Sequence, residues 1–138
     1  MIGSFRRVST PAIAEPAAAT WSNCLVVGNE IVTSGVTARG RDGAPIGGAS
    51  LEKQTLAVLK RVVEMVEAAG GGVQNIYKLV IYVTDIARKD EVNRARAAFF
   101  EGIYPCSTLL EVKGLVFPDL LVEIDAFANF SVDRHVRH

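Results

Sequence analysis

The chain is poor in the residues that build disulfide frameworks and metal centres. It has two cysteines among 138 residues, Cys24 and Cys106, and no CxxC pair. Two cysteines are too few for a disulfide scaffold in a chain of this length. The two histidines, His135 and His138, lie in a polar tail with no carboxylate or cysteine at ligand spacing. We therefore predict no metal and no cofactor.

Long apolar runs and a net charge are also missing. No apolar run approaches the ~20 residues of a membrane helix, and no apolar stretch follows the basic residues of Met1–Arg7, as a signal peptide would require. We therefore expect a soluble, cytoplasmic protein without a membrane partner. Fifteen basic and fifteen acidic residues cancel. No nucleic-acid partner is expected, because neutralised phosphates supply most of the affinity of nucleic-acid binders.

The composition is that of one globular domain. Apolar residues make up 49% of the chain and charged residues 22%, as in an ordinary folded domain. No repeat or linker divides the sequence, so we predict a single domain over 1–138. Its core is expected over about 20–130, followed by a mobile polar tail over 131–138.

The first third of the chain predicts a hairpin and a loop. Leu25–Val27 and Ile31–Ser34 flank Gly28-Asn29, residues that tolerate the positive φ of a tight turn. A further strand is possible at Phe5–Val8. The glycine-rich stretch from Gly35 to Gly48 predicts a loop.

The remaining pattern predicts two helices and three strands. Ser50 is expected to cap a helix that starts at Leu51 and stops at Gly70. Its apolar stripe is predicted at Leu56, Leu59, Val62, Val63 and Val66. The other elements are a strand at Tyr77–Val83, a helix from about Arg88 to Glu101 with its stripe at Val92, Ala95 and Phe99, and strands at Ser107–Val112 and Leu121–Phe130. This order favours an α+β fold with a mixed sheet and both helices on one face. The other face would then need a cover, which we expect from another subunit.

Six segments in this order resemble the RidA/YjgF family. They are Gly28–Gly35, Gln54-Thr55 with Leu59 and Val66, Lys78–Ile86, Val92-Asn93 with Phe99-Phe100, Pro105–Val112, and Val122–Ala128. The resemblance covers roughly residues 20 to 130. It implies a chorismate-mutase-like fold and a homotrimer whose sheets line a central barrel, with ligand clefts between subunits. It also implies hydrolysis of enamines and imines, such as 2-aminoacrylate, to keto acids and ammonia.

One feature of the family's catalytic pattern is absent. The resemblance implies an arginine two residues after Pro105, where it would hold the substrate carboxylate, but this position is Ser107. A hydroxyl does not replace a bidentate guanidinium, so we expect little activity on 2-aminoacrylate. The water-positioning glutamate of the family matches Glu123. Its alternative role is a solvent-facing or barrel-facing carboxylate paired with a lysine or arginine.

Cys106 is a second catalytic candidate. It would act as a nucleophile or thiol sensor at the mouth of the cleft, whereas the alternative is a small buried hydrophobe, the usual state of a free cysteine. Cys24 is a weaker candidate of the same kind. No histidine lies near Cys106 in the sequence to lower its pKa.

The resemblance also implies ligand-binding residues. These are Ser107, Thr108, Trp21, Ser34, Gly35 and Asn93. Arg39 and Arg41, in the Gly35–Gly48 loop, are alternative partners for a substrate carboxylate.

Three functions stay open from the sequence. The first is a hydrolase that acts on a small carboxylate-bearing enamine, imine or related metabolite, with water held by Glu123. The second is a binding or sensing trimer that has lost deaminase activity. An endoribonuclease is the third, and both the zero net charge and the distance of the histidines from the expected cleft argue against it.

Overall fold

The computed structural model describes residues 5–18 and 20–136 and has one sheet with two helices. The strands are β1 (Phe5–Val8), β2 (Cys24–Val27), β3 (Glu30–Thr33), β4 (Val36–Thr37), β5 (Ile76–Val83), β6 (Cys106–Glu111) and β7 (Val122–Asn129), and the helices are α1 (Leu51–Ala68) and α2 (Lys89–Phe99). The predicted α+β class is confirmed, and so is the extra strand at Phe5–Val8. Across the described residues, no helix is both long enough and apolar enough to traverse a membrane.

The sheet runs β1-β2-β3-β7-β5-β6, and the short β4 also pairs with β7. All pairs are antiparallel except β5 with β6, which are parallel. A parallel pair needs a crossover connection, and α2 lies in it. β7 is therefore central, with β3 and β4 on one side and β5 on the other, whereas β6 forms an edge.

The cap of α1 is as predicted, but its buried face is rotated. Ser50 Oγ accepts a hydrogen bond of 3.1 Å from the Lys53 amide, and Gly70 follows the helix with φ of +103°. Of the predicted stripe, Leu59, Val62 and Val66 are buried, but Leu56 and Val63 are only half-buried.

Two buried polar side chains, Gln54 and Thr55, account for the rotation of the buried face of α1. The fully buried residues of α1 also include Gln54, Thr55, Val58 and Met65. Thr55 donates to the carbonyl of Leu51 at 2.7 Å, and Gln54 bonds with carbonyls at 2.7 and 3.0 Å and with an amide at 3.0 Å. Because these hydrogen bonds satisfy both side chains, polar residues can occupy the inward face.

Alternation along β7 separates the two faces of the sheet. Val122, Ile124, Ala126 and Ala128 are buried in the core beneath the helices. α1 packs on β7, β4 and β3, and α2 packs on α1. The alternate residues of β7, from Glu123 to Asn129, are half-buried on the opposite face. Both helices thus lie on one face, as predicted.

The segment after Asp133 is anchored at Arg134. This residue is only 5% exposed. Its guanidinium donates hydrogen bonds to the carbonyls of Val73, Ile76, Glu101 and Ile103. The mobile tail predicted over 131–138 is therefore held in place as far as Arg134. His138 lies outside the described residues, as do residues 1–4, 19 and 137.

Candidate functional site

Glu123 faces a cavity of about 970 Å³ at the junction of β4 and β7. In the sheet register it lies opposite Thr37 of β4 and Tyr82 of β5. Its side chain is on the sheet face away from the helices and is half-buried. The central strand therefore fixes the backbone of Glu123 on both sides while its carboxylate remains accessible.

Gly35 makes room for this carboxylate. It lies in the irregular link between β3 and β4, and a β-carbon built there would fall 1.8 Å from Glu123 Oε1 and 2.7 Å from Cδ. Any side chain at position 35 would therefore displace the Glu123 carboxylate. The glycine is required by this close approach.

The surroundings of Glu123 favour its protonated form. Burial raises its pKa above the ordinary value, and the negative charge of Asp125 raises it further. Burial is the larger of these two causes. Asp125 itself accepts a hydrogen bond of 2.7 Å from the Tyr82 hydroxyl.

The Glu123 carboxylate has no partner among the described residues. The ion pairs in this part of the chain are Arg88–Glu91 and Arg94–Glu52, and the described hydrogen bonds do not include its side chain. Within the described part of one chain, no lysine or arginine pairs with Glu123. Both oxygens remain available to a water or a ligand.

Three further predicted residues join Glu123 in this cavity. Trp21, Ser34 and Gly35 line its wall. Trp21 is 54% exposed, and its Nε1 donates to Asn23 Oδ1 at 3.2 Å. The Ser34 hydroxyl donates to the carbonyl of Ser22. These hydrogen bonds hold the wall in place around Glu123.

Three arginines line the same cavity. Arg39 and Arg41 follow β4, and Arg61 comes from α1. The predicted Gly35–Gly48 loop is therefore wrong at Val36–Thr37, which pairs with β7 as a strand. The Arg39 guanidinium carbon lies 3.7 Å from the centroid of the Phe117 ring, a cation–π contact. Arg41 donates to a carbonyl at 3.3 Å. Arg61 donates to the carbonyl of Thr37 at 2.7 Å, and burial lowers its pKa.

These arginines make the cavity suited to an anion. None of the three forms an ion pair with a described carboxylate, so their charges are not neutralised by such a pair. Arg39 and Arg41 were candidates from the sequence. Arg61 was not predicted as a site residue, because the helical pattern around it does not indicate that its side chain extends to β4.

Asn93 and Ser107 lie in a second, smaller cavity of about 280 Å³. Arg96 of α2 stands between them. Its Nη1 donates to Ser107 Oγ at 2.7 Å, and its Nη2 donates to Asn93 Oδ1. The two cavities have no lining residue in common. Within one chain, the structure therefore does not bring Ser107 and Asn93 to Glu123.

Cys106 and Thr108 line neither of these two cavities. Both are exposed on β6. They alternate with Ser107 and so point to the other face of the strand. The burial considered for Cys106 is wrong, because β6 is an edge strand. Cys24, by contrast, is fully buried, and burial raises its pKa to about 11, so its thiol is protonated at neutral pH.

Comparison with known proteins gives consistent matches over nearly the whole chain. The model of the family described as Endoribonuclease L-PSP matches residues 12–130. A crystal structure of a protein of unknown function from Pseudomonas aeruginosa is 47% identical, with a TM-score of 0.88, and the match covers 98% of this chain and 99% of that one.

Two further crystal structures carry family names. A member of the YjgF/YER057c/UK114 family from Mycobacterium tuberculosis is 32% identical over 91% of this chain and 99% of that chain, with a TM-score of 0.78. A protein of unknown function of the conserved Rid family from Yersinia pestis is 29% identical over 91% and 99%, with a TM-score of 0.81.

Proposed function

We propose, from the premise that this chain belongs to the YjgF/Rid family, that it hydrolyses a small enamine, imine or related amino-acid-derived compound. One observation carries the proposal. A half-buried carboxylate with a raised pKa and no described partner, Glu123, faces a cavity walled by arginines. A general base needs this combination of access and a pKa moved toward neutrality.

The proposed reaction is hydrolysis of a C=N bond. Glu123 accepts a proton from a bound water as the water oxygen forms a bond to the C=N carbon. Glu123 passes this proton to the nitrogen, which gives a tetrahedral carbinolamine. Its hydroxyl proton is then transferred through Glu123 to the nitrogen, and the carbonyl forms as the C–N bond breaks. The products are a keto compound and ammonia. An enamine enters this sequence after protonation at carbon gives the imine.

The arginines supply the part of the site that recognises an anion. A guanidinium binds a carboxylate through two parallel hydrogen bonds. Arg39 and Arg41 are the proposed partners of the substrate carboxylate, and Arg61 adds positive charge beside Thr37. Trp21, Ser34 and Gly35 form the wall against which the rest of the substrate would lie.

We also propose that the protein is a homotrimer. The sheet face opposite the helices carries the half-buried apolar side chains of Leu25, Val32, Val80 and Phe127. Burial of such a face stabilises an assembly by about 25 cal/mol per Å² of apolar surface. The resemblance implies clefts between subunits, and we propose that Ser107 and Asn93 contact ligand from the neighbouring copy's side of such a cleft.

The alternative function is a binding protein without catalytic activity. It is favoured because Ser107 stands where the family's deaminases have the arginine that binds the substrate carboxylate. An endoribonuclease is less well supported. Cleavage of a phosphodiester by acid–base catalysis typically employs histidine, and no described residue that lines the Glu123 cavity is a histidine.

A measurement of ammonia release distinguishes a hydrolase from a binding protein without catalytic activity. Imines of several amino acids, generated in situ by an amino-acid oxidase with catalase, would be offered to the purified protein at matched concentrations. The hydrolase predicts faster ammonia release than the buffer reaction for at least one imine. A binding protein would leave every rate at the buffer value or slow it.

A further inference from the structure

Asn23 is a buried polar residue whose side chain joins two parts of the chain. It lies directly before β2 and is only 9% exposed. Its Nδ2 donates a hydrogen bond of 3.0 Å to the carbonyl of Ala14, and its Oδ1 accepts one of 3.2 Å from Trp21 Nε1. Both ends of the amide are therefore used, as a buried polar side chain requires.

Residues 10–14 form a turn on one side of the Glu123 cavity, which we call the 10–14 turn. The amide of Ile13 donates to the carbonyl of Thr10 at 3.2 Å, and Pro11 stands at the second position, where its fixed φ favours a β-turn. Four of the five residues line the cavity, and Ile13 also packs against the hydrophobic core. The turn is therefore a structured element, and its attachment to the rest of the protein decides the shape of the cavity.

Asn23 is also attached to the part of the wall beside Glu123. Its main-chain carbonyl accepts a hydrogen bond of 2.9 Å from the Ser34 amide, and the Ser34 hydroxyl donates to the carbonyl of Ser22. Ser34 precedes Gly35, the residue that makes room for the Glu123 carboxylate. Asn23 therefore connects the segment beside the carboxylate with the two segments that complete the wall.

We propose that Asn23 is a positioning residue: its amide holds the 10–14 turn and the Trp21 ring in the cavity wall, and this wall keeps bulk water away from the Glu123 carboxylate. The proposal rests on the proposed role of Glu123 in hydrolysis. Exclusion of bulk water matters for that role because charge interactions are stronger where water is scarce. Burial is the larger cause of the raised pKa of Glu123, which agrees with such a wall.

Asn23→Leu removes both side-chain hydrogen bonds and keeps the branching of the side chain. Trp21 and Ala14 are exposed, so their freed donor and acceptor can bind water, and the variant should fold. Trp21 is the only tryptophan of the chain, so time-resolved fluorescence anisotropy should show a new sub-nanosecond motion of its ring. ¹³C NMR of the Glu123 carboxyl carbon should show its pKa falling toward the ordinary 4.5, because a looser wall hydrates the charged form.

The substitution leaves every described ionisable group around Glu123 in place. These groups are Asp125 on the same strand, Tyr82 on β5, Arg61 on α1, and Arg39 and Arg41 after β4. A fall in the pKa of Glu123 would therefore report hydration and not a lost charge. Asn29→Leu is the matched control. It removes an amide from the β2–β3 turn, where Nδ2 donates to Ser131 Oγ, and should change neither measurement.

Turnover connects the wall to the reaction. For an imine that wild type hydrolyses, Asn23→Leu should lower kcat about tenfold, the order expected for one or two lost hydrogen bonds, whereas Asn29→Leu should not. Trp21→Phe removes only the indole donor, so it should give smaller falls in kcat and in the pKa of Glu123, and it tests the wall if Asn23→Leu fails to fold.

Three results for a folded Asn23→Leu variant would each overturn the proposal: an unchanged anisotropy decay, an unchanged pKa of Glu123, or a kcat equal to that of wild type. Without Asn23→Leu, a wild-type pKa of Glu123 in Trp21→Phe would do the same. If wild type hydrolyses no imine, the proposed function fails, and the anisotropy and pKa measurements still decide the role of Asn23.

Discussion

A β-carbon on Gly35 would lie 1.8 Å from Oε1 of Glu123, so the backbone of one residue defines where the carboxylate of the other can stand. Gly35 has no positive φ that would demand glycine for conformational reasons. Glycine is therefore required at position 35 because a side chain there would occupy the space of the Glu123 carboxylate. This requirement couples a residue between β3 and β4 to the central strand of the sheet.

Gly35→Ala should reduce activity without unfolding the protein. The atoms that the new methyl meets belong to the Glu123 side chain, which can rotate away. We expect a stability change below about 1 kcal/mol and a loss of turnover of up to about a hundredfold from the misplaced carboxylate. Gly114→Ala, where a β-carbon would meet open space, is the matched control. A melting temperature that falls sharply only in Gly35→Ala would show a structural role instead.

Glu123→Gln should change how stability depends on pH. Burial and Asp125 raise the pKa of Glu123 in the folded state, so the folded protein binds this proton more tightly than the unfolded chain. Its stabilising contribution is therefore complete below the ordinary pKa of 4.5 and is lost as pH rises through the folded value. Glutamine lacks this titration.

Melting temperatures across pH 4 to 8 would measure the effect. The variant should gain stability relative to wild type as pH rises from about 4.5, and the gain should level off above the folded pKa. Glu67→Gln, at an exposed position of α1, controls for loss of a surface charge. A difference between Glu123→Gln and wild type that does not vary with pH would show that the pKa is not raised.

The uncovered sheet face predicts a specific oligomer. Light scattering should give three times the 14.8 kDa chain mass. Val80→Lys places a charge in the middle of that face, opposite Asp125 in the register, and should dissociate the trimer while the monomer stays folded. Ile46→Lys introduces the same charge at an exposed loop position and should remain trimeric. A wild-type monomer at micromolar concentration would contradict the prediction.

The contact between Arg96 and Ser107 predicts how the protein responds when an arginine is placed at position 107. Ser107→Arg alone would set a second guanidinium against that of Arg96, so we expect a lower melting temperature than that of wild type. The double variant Arg96→Ser, Ser107→Arg exchanges the two side chains and should recover most of the melting temperature lost in Ser107→Arg. An unchanged melting temperature in the single Ser107→Arg variant would contradict this, because it would show that the two cations do not compete for the same space.

Local pattern was enough to predict much of the fold. Trp21, Ser34 and Gly35, which the resemblance implies as ligand-binding residues, line the same cavity as Glu123. The face of α1 was misjudged because both buried polar side chains are satisfied by hydrogen bonds. Gln54 bonds with backbone groups in loops outside the helix, and Thr55 bonds with the carbonyl of Leu51 one turn earlier.

The other missed features depend on which elements lie next to one another in the fold. Arg61 reaches the carbonyl of Thr37 in β4, and Arg96 reaches Ser107 in the edge strand. Neither contact has a signature in local spacing. The exposure of Cys106 follows from the position of β6 at the edge of the sheet, which is a property of the strand order and not of the segment.

Turnover by Glu123→Gln tests the central claim most directly. Rates of ammonia release would be measured for wild type and variant on the imine that wild type hydrolyses fastest, with trimer mass and ligand affinity measured on the same samples. Loss of a general base typically costs 10²–10⁴-fold, so we predict at least about a hundredfold lower turnover with mass and affinity unchanged. Full turnover by the variant would contradict the proposed role of Glu123.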